Sequence, residues 1–549
     1  MARAADTPPP EETGAARAFR GLLAVSLLGG PVVLAFHDGG YYDGPRAVAT
    51  IVAWALVGVA AIVAPWPGRP ARAADGAPSR GHRARAAIVA SWPGRPARAA
   101  ALALGGLAAL TLWAALSSLW APLEGPALDA VTRNLLYLAV LALGLVAWRS
   151  RAALRAVEPA LAAGALVVVG YGLAGRLLPD LVEIEPSAGA GGRLEQPLAY
   201  WNAMGALAAI GLVLCVRVAG DATRPARLRT AAVAASICLA TGLYLSFSRG
   251  AIAATLAGLV MLAVLAPSRE QWRACAVVAL AGVVAAIASS LYGAFESLSG
   301  SAADARAQGA VMIAVLALLA VGAAVTALPR PRGESAGHEH LLPVRFGRVV
   351  AAAAAVVVLA LPLVAAVIEG GPRTGSTGAS AERLRDFGSN RYSYWRVALD
   401  EAADHPLNGS GAGSFEVAWR RERTIGENVR DAHSLVLETA AELGLVGLLA
   451  LAALFGGIGL AVVSLQRSDP TLGAGMAAGL ATWAVHANLD WDWEMPALTL
   501  VAIVLAGAAL AAVSYSPASG SSARARLRAA AAPAGSRSRS AVARTSQAP

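Results

Sequence analysis

Lysine is absent from this chain, and cysteine is scarce. All 45 basic residues are arginines, and three cysteines occur in 549 residues. Cys215, Cys238 and Cys275 lie within or at the edge of apolar segments, and their spacing fits neither a disulfide framework nor a metal site. Charged residues are also few, at 15% of the chain. Because the pI of 10.1 reflects arginine-only usage, we attribute it to genome composition and infer no nucleic-acid partner.

The chain is rich in long apolar runs. Hydrophobic residues make up 57% of the chain, and its mean hydropathy of +0.57 excludes an ordinary soluble protein. Runs near twenty residues, long enough to cross a hydrocarbon core of about 30 Å, occur roughly fourteen times. They lack strand-like alternation, so each predicts a helix that closes its own backbone hydrogen bonds in lipid. The predicted spans are 21–36, 47–66, 101–120, 131–148, 158–176, 197–216, 230–247, 250–266, 274–294, 309–328, 349–368, 444–464, 471–488 and 497–514.

Arginines alternate between the two sides of these spans. Loops after even-numbered spans are rich in them, as Arg69, Arg149, Arg217, Arg269 and Arg345 illustrate, whereas short loops after odd-numbered spans carry one or none. The positive-inside rule therefore places the arginine-rich loops in the cytoplasm. The pattern predicts a multi-pass plasma-membrane protein with both termini inside and one large loop outside.

The predicted organisation is an all-α, polytopic transmembrane helix bundle of about 12–14 spans, with short helices in its one large extracytoplasmic loop. Residues 60–74 and 86–100 are near-copies of each other, which identifies a flexible basic insertion. The successive parts of the whole chain are predicted to be a cytoplasmic segment at 1–20, transmembrane helices at 21–368 with the cytoplasmic insertion at 67–100, the loop at 369–433, C-terminal transmembrane helices at 434–514 and a disordered basic tail at 515–549.

The large loop carries the first candidates for chemistry. His433 stands directly before the twelfth span, and an imidazole with an ordinary pKa of about 6.5 accepts a proton at neutral pH. A structural histidine at a helix start is the alternative. Arg391 and Trp395 share a face of a predicted helix that Pro406 ends. This stretch is equally compatible with a solvated surface helix whose aromatics lie at the membrane interface or stack on sugar rings.

Arg249 lies outside that loop, in a polar break between the seventh and eighth spans. Its position opposes the charge trend, and flanking Ser248 and Gly250 favour an anion site, because the guanidinium fork grips phosphate. An arginine that snorkels to the membrane interface is the alternative.

A second polar group ends the thirteenth span. His486 competes with His433 for the role of base, and Asp490 is placed to orient a catalytic group. Asp492 and Glu494 are expected in a short exposed loop anchored by tryptophans.

Several segments in this order resemble the O-antigen ligase and O-antigen polymerase family of bacterial membrane glycosyltransferases. The similarity covers roughly residues 190–500. Its segments are QPLAYWNAMG at 196–205, SRG at 248–250, Arg391-x3-Trp395, PLNGSG at 406–411, AHS at 432–434, ELGLVG at 442–447 and residues 486–496.

The resemblance implies a transferase that moves glycan from undecaprenyl diphosphate to an acceptor hydroxyl of a glycan or lipid. No nucleotide sugar, cofactor or metal ion is implied. By position, Arg249 and Arg391 correspond to diphosphate-binding arginines and His433 to the essential histidine. Five residues are further candidates for substrate binding, namely Arg193, Trp395, Arg430, His486 and Asp490.

The competing interpretation from another class is a flippase or transporter of lipid-linked oligosaccharide. Such proteins usually show internal repeats and charges at mid-span, and this chain shows neither an inverted repeat nor a central charge in most spans. Within the family, a ligase, a polymerase and a protein glycosyltransferase differ in acceptor, and the residues leave that choice open.

Overall fold

Apolar segments of this length become helices because lipid offers their backbones no hydrogen-bond partner. The computed structural model describes residues 14–63, 95–327, 378–384 and 389–515. Each predicted span within these ranges contains a helix, and the described residues include no strand. The all-α prediction is therefore confirmed. The predicted span at 349–368, most of the insertion at 67–100 and the tail beyond residue 515 lie outside the described residues.

The described helices are numbered here in chain order. They are α1 Gly14–Ala35, α2 Asp43–Val63, α3 Arg95–Ser117, α4 Glu124–Ala147, α5 Arg151–Leu177, α6 Trp201–Gly220, α7 Ala226–Leu245, α8 Arg249–Leu265, α9 Arg269–Ser290, α10 Gly293–Glu296, α11 Ala302–Ala327, α12 Arg391–Asp404, α13 Phe415–Glu422, α14 Leu435–Ser468, α15 Pro470–Ala487 and α16 Pro496–Tyr515. Among the described residues, eleven helices are long and apolar enough to cross a membrane. Because α3 begins at Arg95, the last residues of the predicted insertion are helical.

Helices α6 and α16 form the centre of the bundle. Nearly every residue of both is buried, and α6 packs against α5, α7, α8 and α15. Small residues allow such close packing in a membrane. Where α4 crosses α16, a β-carbon on Gly144 would lie 3.0 Å from Gly507 Cα. Helices α1, α2, α9 and α11 are mostly exposed and surround this centre, so their outer faces meet lipid.

The connections between helices lie alternately at two ends of the bundle. The site end comprises residues 36–42, 118–123, 178–200, 246–248, 291–301, 389–434 and 488–495, which contact one another. At the opposite end, buried Arg217 and Arg224 pair with Asp221, and Arg224 also pairs with Glu158 at 2.6 Å. These arginines thus lie at the end opposite the large loop.

Candidate active site

The large loop folds around a small apolar core of its own. Tyr394 and Trp395 of α12 pack with Phe415 and Trp419 of α13 and with Leu437 of α14. Trp395, a predicted substrate contact, is 4% exposed and belongs to this core. The aromatic residues of α12 therefore hold the loop together, which gives a rigid support for the polar residues around them.

Two glycine motifs fasten this loop to the start of α14. Gly411 N donates to Glu442 O at 2.8 Å, and Leu445 N donates to Pro406 O at 2.9 Å. The contact is so close that a β-carbon on Gly409 would lie 2.2 Å from the Glu442 backbone. The segments PLNGSG and ELGLVG, remote in sequence, are thus two halves of one contact. Its result is a fixed position for residues 430–434.

Asp490 is the centre of the polar cluster that this scaffold supports. It is 1% exposed, accepts a hydrogen bond from Tyr200 Oη at 2.8 Å and forms an ion pair with Arg391. The backbone N–H of Trp491 donates a further bond to it at 3.0 Å. Burial alone would raise the pKa of Asp490, but Arg391 and His433 outweigh that effect and the pKa is lowered. Asp490 is therefore a buried carboxylate that stays ionised.

His433 faces this carboxylate from the loop. Its Nδ1 lies 2.9 Å from Asp431 O and its Nε2 lies 3.9 Å from Asp490 Oδ1. A carbonyl oxygen only accepts, so Nδ1 carries the proton and Nε2 presents a lone pair. Burial lowers the pKa of His433, and the negative charge of Asp490 offsets this effect only in part. Because the net pKa lies below its ordinary value, the ring is neutral at pH 7. The ring is 16% exposed and therefore reachable.

The start of α8 adjoins the same cluster. Ser248 Oγ caps the helix by accepting from Ala251 N at 3.2 Å, and Arg249 is its first residue. A β-carbon on the next residue, Gly250, would lie 3.5 Å from His486 Nε2 and 3.6 Å from Leu489 Cβ. The fold thus brings the first turn of α8, with Arg249, beside the segment that ends in Asp490. A positive helix end favours anions at this place.

The acids after Asp490 differ from expectation. Asp492 and Glu494, expected in an exposed loop, are both buried. Each has a partner that the linear sequence does not reveal: His486 Nδ1 lies 2.7 Å from Asp492 Oδ2, and Arg133 of α4 pairs with Glu494 at 3.2 Å. These partners offset the free-energy cost of removing each carboxylate from water.

The two remaining predicted substrate-binding residues, Arg193 and Arg430, contact other groups of the protein. Arg193 donates to Ala190 O at 2.6 Å, and its guanidinium carbon lies 3.5 Å from the centre of the Trp201 ring. Arg430 is exposed, 3.7 Å from Glu416 and 3.5 Å from Tyr41 Oη. Both stand at the site end, around the cluster rather than inside it.

Tyr200 also contacts Asp490, although it is not among the candidate residues predicted from the sequence. It lies in the segment 196–205 that carries part of the family resemblance, so a signal was present. Its hydroxyl donates to Asp490 and accepts from Asn202 Nδ2 at 2.7 Å.

One acidic group has the spacing of cation ligands. Carboxylate oxygens of Asp431, Glu438 and Glu494 lie within 4.8 Å of one another among the described residues. Arg133 already supplies Glu494 with a counter-ion, and Glu438 accepts from Ala432 N at 2.7 Å. We assign no metal to this group.

Comparison with known proteins gives one family. Residues 306–452 match the family model described as O-antigen ligase. No curated protein matches the chain. The matched range includes α12, α13, His433 and the first half of α14, whereas Arg249, His486 and Asp490 lie outside it.

Proposed function

Because the chain belongs to the O-antigen ligase and polymerase family, we propose that it transfers glycan from undecaprenyl diphosphate to an acceptor hydroxyl. The reaction would occur at the outer face of the plasma membrane, on the side of the large loop. One observation carries this proposal: a neutral histidine and an arginine, His433 and Arg391, meet at one buried carboxylate, Asp490. A base and a cation held at a fixed separation are what displacement of a diphosphate requires.

His433 is the proposed general base. The acceptor hydroxyl gives its proton to Nε2 as its oxygen bonds to the anomeric carbon of the donor sugar. Nδ1 keeps its proton on Asp431 O throughout, and Asp490 stabilises the imidazolium that forms. Attack opposite the leaving group gives inversion at that carbon.

The leaving group is the second requirement. The bond between the anomeric carbon and the phosphate oxygen breaks, and its electron pair leaves with undecaprenyl diphosphate. Arg391, oriented by Asp490, and Arg249, at the positive end of α8, would neutralise the charge that develops. Arginine suits this task because its planar donors bind two phosphate oxygens at once. These two cations suffice for the displacement, so we propose that no metal ion is needed.

The test is transfer in proteoliposomes from a radiolabelled undecaprenyl-diphosphate oligosaccharide, with a chelator present. We expect a new glycosidic product when a glycan or lipid acceptor is added, and the acceptor that reacts identifies a ligase or a polymerase. His433→Ala should reduce the rate by about 100-fold or more, the typical contribution of a general base. Arg249→Ala should reduce it as well.

Matched controls come from the same loop. His405→Ala removes an exposed histidine 3.8 Å from Glu401, and Arg420→Ala removes an exposed arginine on α13. Both should keep normal transfer. Full activity of His433→Ala would overturn the assignment of the base. Movement of labelled lipid across the bilayer without a new glycosidic product would identify a flippase instead.

A further inference from the structure

Five aromatic rings form a continuous row at the site end, here called the aromatic row: Tyr42, Tyr41, Trp491, Tyr200 and Trp201. Successive ring centres are 5.4, 5.2, 4.4 and 5.0 Å apart. The residues come from three separate segments, the α1–α2 connection, the α15–α16 connection and the start of α6. The row is thus a product of the fold.

The row leads from the surface to the proposed catalytic cluster. Tyr42 is 60% exposed, whereas Tyr200 donates its hydroxyl to Asp490, the partner of Arg391. Tyr41 and Trp491, between them, are partly exposed. Any elongated ligand whose reacting end is held near Asp490 would have its next units beside this row.

The chemistry of the row selects one class of ligand. Aromatic faces bind apolar surface at fixed positions, and Tyr and Trp also offer a polar edge. Polar groups flank the rings: Arg430 lies 3.5 Å from Tyr41 Oη, and Glu416 lies 3.7 Å from Arg430. A sugar ring has both features, a C–H face that stacks on an aromatic ring and hydroxyls that bond to charged side chains at its edge.

An interfacial anchor is the ordinary role of exposed aromatics in membrane proteins. Tyr171 on α5 is a residue of that kind, 39% exposed and in contact with Phe36 of the α1–α2 connection. The aromatic row differs from it because the rings contact one another in sequence and the fourth ring, Tyr200, donates its hydroxyl to Asp490, the partner of Arg391. An anchor has no need of that continuity.

We propose that the aromatic row is a glycan-binding subsite that holds the sugar chain of one substrate, with a sugar ring stacked on Tyr42. This inference rests on the proposed transferase function. The sugar chain belongs either to the lipid-linked donor or to a glycan acceptor, and both have the same stacking chemistry. The two sources differ in which Michaelis constant depends on Tyr42.

The first arm of the test is kinetic. Tyr42→Ala should raise KM for one of the two substrates by about tenfold and leave kcat within about twofold, because stacking on an aromatic contributes on the order of 1 kcal/mol. A raised KM for the donor assigns the row to the donor glycan, and a raised KM for the acceptor assigns it to the acceptor. Tyr42→Trp, which keeps an aromatic face, should restore the wild-type value. Because Tyr42 is exposed, replacing it should leave the fold intact, so a change in KM would not reflect misfolding.

The matched control is Tyr171→Ala, which removes an exposed aromatic outside the row. It should change neither KM. Two outcomes overturn the subsite: both KM values unchanged in Tyr42→Ala, or an equal rise in Tyr171→Ala, which would indicate a general interfacial effect.

The second arm does not require turnover. Fluorescently labelled short oligosaccharides, cut from the surface polysaccharide of the source cells, are titrated against the His433→Ala protein in lipid nanodiscs. Adding Tyr42→Ala to this protein should weaken binding by about tenfold. If wild-type protein shows no transfer but Tyr42 still governs oligosaccharide binding, the proposed function fails and the subsite stands. Equal binding by both proteins would overturn the subsite alone.

Discussion

At the scale of single residues, Asp490 connects the two halves of the proposed reaction. The same carboxylate pairs with Arg391 and faces His433, so it orients the cation and supports the base. A buried carboxylate without such partners would be costly, and one with them remains charged. This sharing explains why a base and an anion-binding arginine can stand so close without either losing its function.

The first prediction follows from the charge of Asp490. Burial lowers the pKa of His433 and the Asp490 carboxylate opposes it, so Asp490→Asn should lower that pKa further. Since the neutral form of His433 is the base, the acid limb of the pH dependence of kcat/KM should move to lower pH. The maximal rate should fall about 10- to 100-fold, because the imidazolium loses its stabilising charge.

The measurement is transfer in proteoliposomes as a function of pH. Asp400→Asn, which removes an exposed carboxylate on α12, serves as the control and should leave the profile unchanged. An acid limb that stays in place, or moves to higher pH, in Asp490→Asn would refute the contact between Asp490 and His433.

At the scale of elements, α14 begins as part of the site and continues as a membrane span. Gly444 divides it, with φ of 61° and ψ of −157°, a conformation that only glycine adopts without strain. At the break the chain meets the large loop: Gly409 packs against the Glu442 backbone, and Leu407 packs against Gly444 itself. The predicted span at 444–464 starts at this break, whereas the helix starts earlier, at Leu435.

The second prediction concerns this break. Gly444→Ala should lower the free energy of unfolding by at least about 2 kcal/mol, from backbone strain and from a β-carbon 2.5 Å from Leu407 C. Gly459→Ala, in the same helix with open space around it, should be neutral or stabilising. Thermal unfolding in detergent compares the two. Equal melting temperatures would contradict the geometry of the break.

Helices α3 and α14 pack extensively against each other, and glycines permit this contact. A β-carbon on Gly106 would lie 2.4 Å from Leu454 N, and one on Gly457 would lie 2.5 Å from Ala103 N. Backbones approach this closely in membranes where small residues meet.

The third prediction uses adjacent glycines on α3. Gly106→Ala should force α3 and α14 apart and cost about 1–3 kcal/mol of unfolding free energy, as overpacking does. Gly105→Ala points to open space and should be neutral or slightly stabilising through helix propensity. Melting temperatures of the purified proteins give the comparison, and a Gly105→Ala loss as large as that of Gly106→Ala would reject this interface.

At the scale of the whole molecule, a cluster of buried and partly buried acids joins separate parts of the chain. Asp431 of the loop, Glu438 of α14 and Glu494 before α16 lie together, with Arg133 of α4 as partner. Burial and then Glu494 raise the pKa of Asp431 to about 8, and burial raises that of Glu494 to about 7 despite Arg133. The cluster therefore holds protons near neutral pH.

The fourth prediction is a dependence of stability on pH. An acid whose pKa is raised by folding stabilises the fold below its ordinary pKa, and this contribution is lost as pH rises through the folded value. The melting temperature should therefore fall as pH rises from about 4, where carboxyls ordinarily titrate, and should level off above about 7 to 8, the pKa values of Glu494 and Asp431 in the fold. Asp431→Asn should reduce the pH-dependent loss of unfolding free energy by on the order of 1 kcal/mol, a figure that allows for solvent screening. The melting temperature of this variant should therefore depend less on pH. A melting temperature that rises over this range would contradict the cluster.

The sequence by itself determined the class of the molecule and indicated which polar residues are candidates for its chemistry. Apolar length and arginine alternation are local properties, and lipid leaves an apolar run no alternative to a helix, so the spans were predictable. His433, Arg391 and Asp490 were identifiable as polar residues beside apolar runs. Only the tertiary structure brought them together, because Asp490 and Arg391 are 99 residues apart and meet through the packing of α12 and the α15–α16 connection.

The same distinction holds for burial. Asp492 and Glu494 have a polar, tryptophan-rich local sequence that indicates exposure, yet both are buried against His486 and Arg133. The aromatic row likewise combines three segments that are remote in the chain. Local composition decides whether a segment is helical, whereas charge pairing and burial depend on which helix ends meet, and that is settled by packing across the whole bundle.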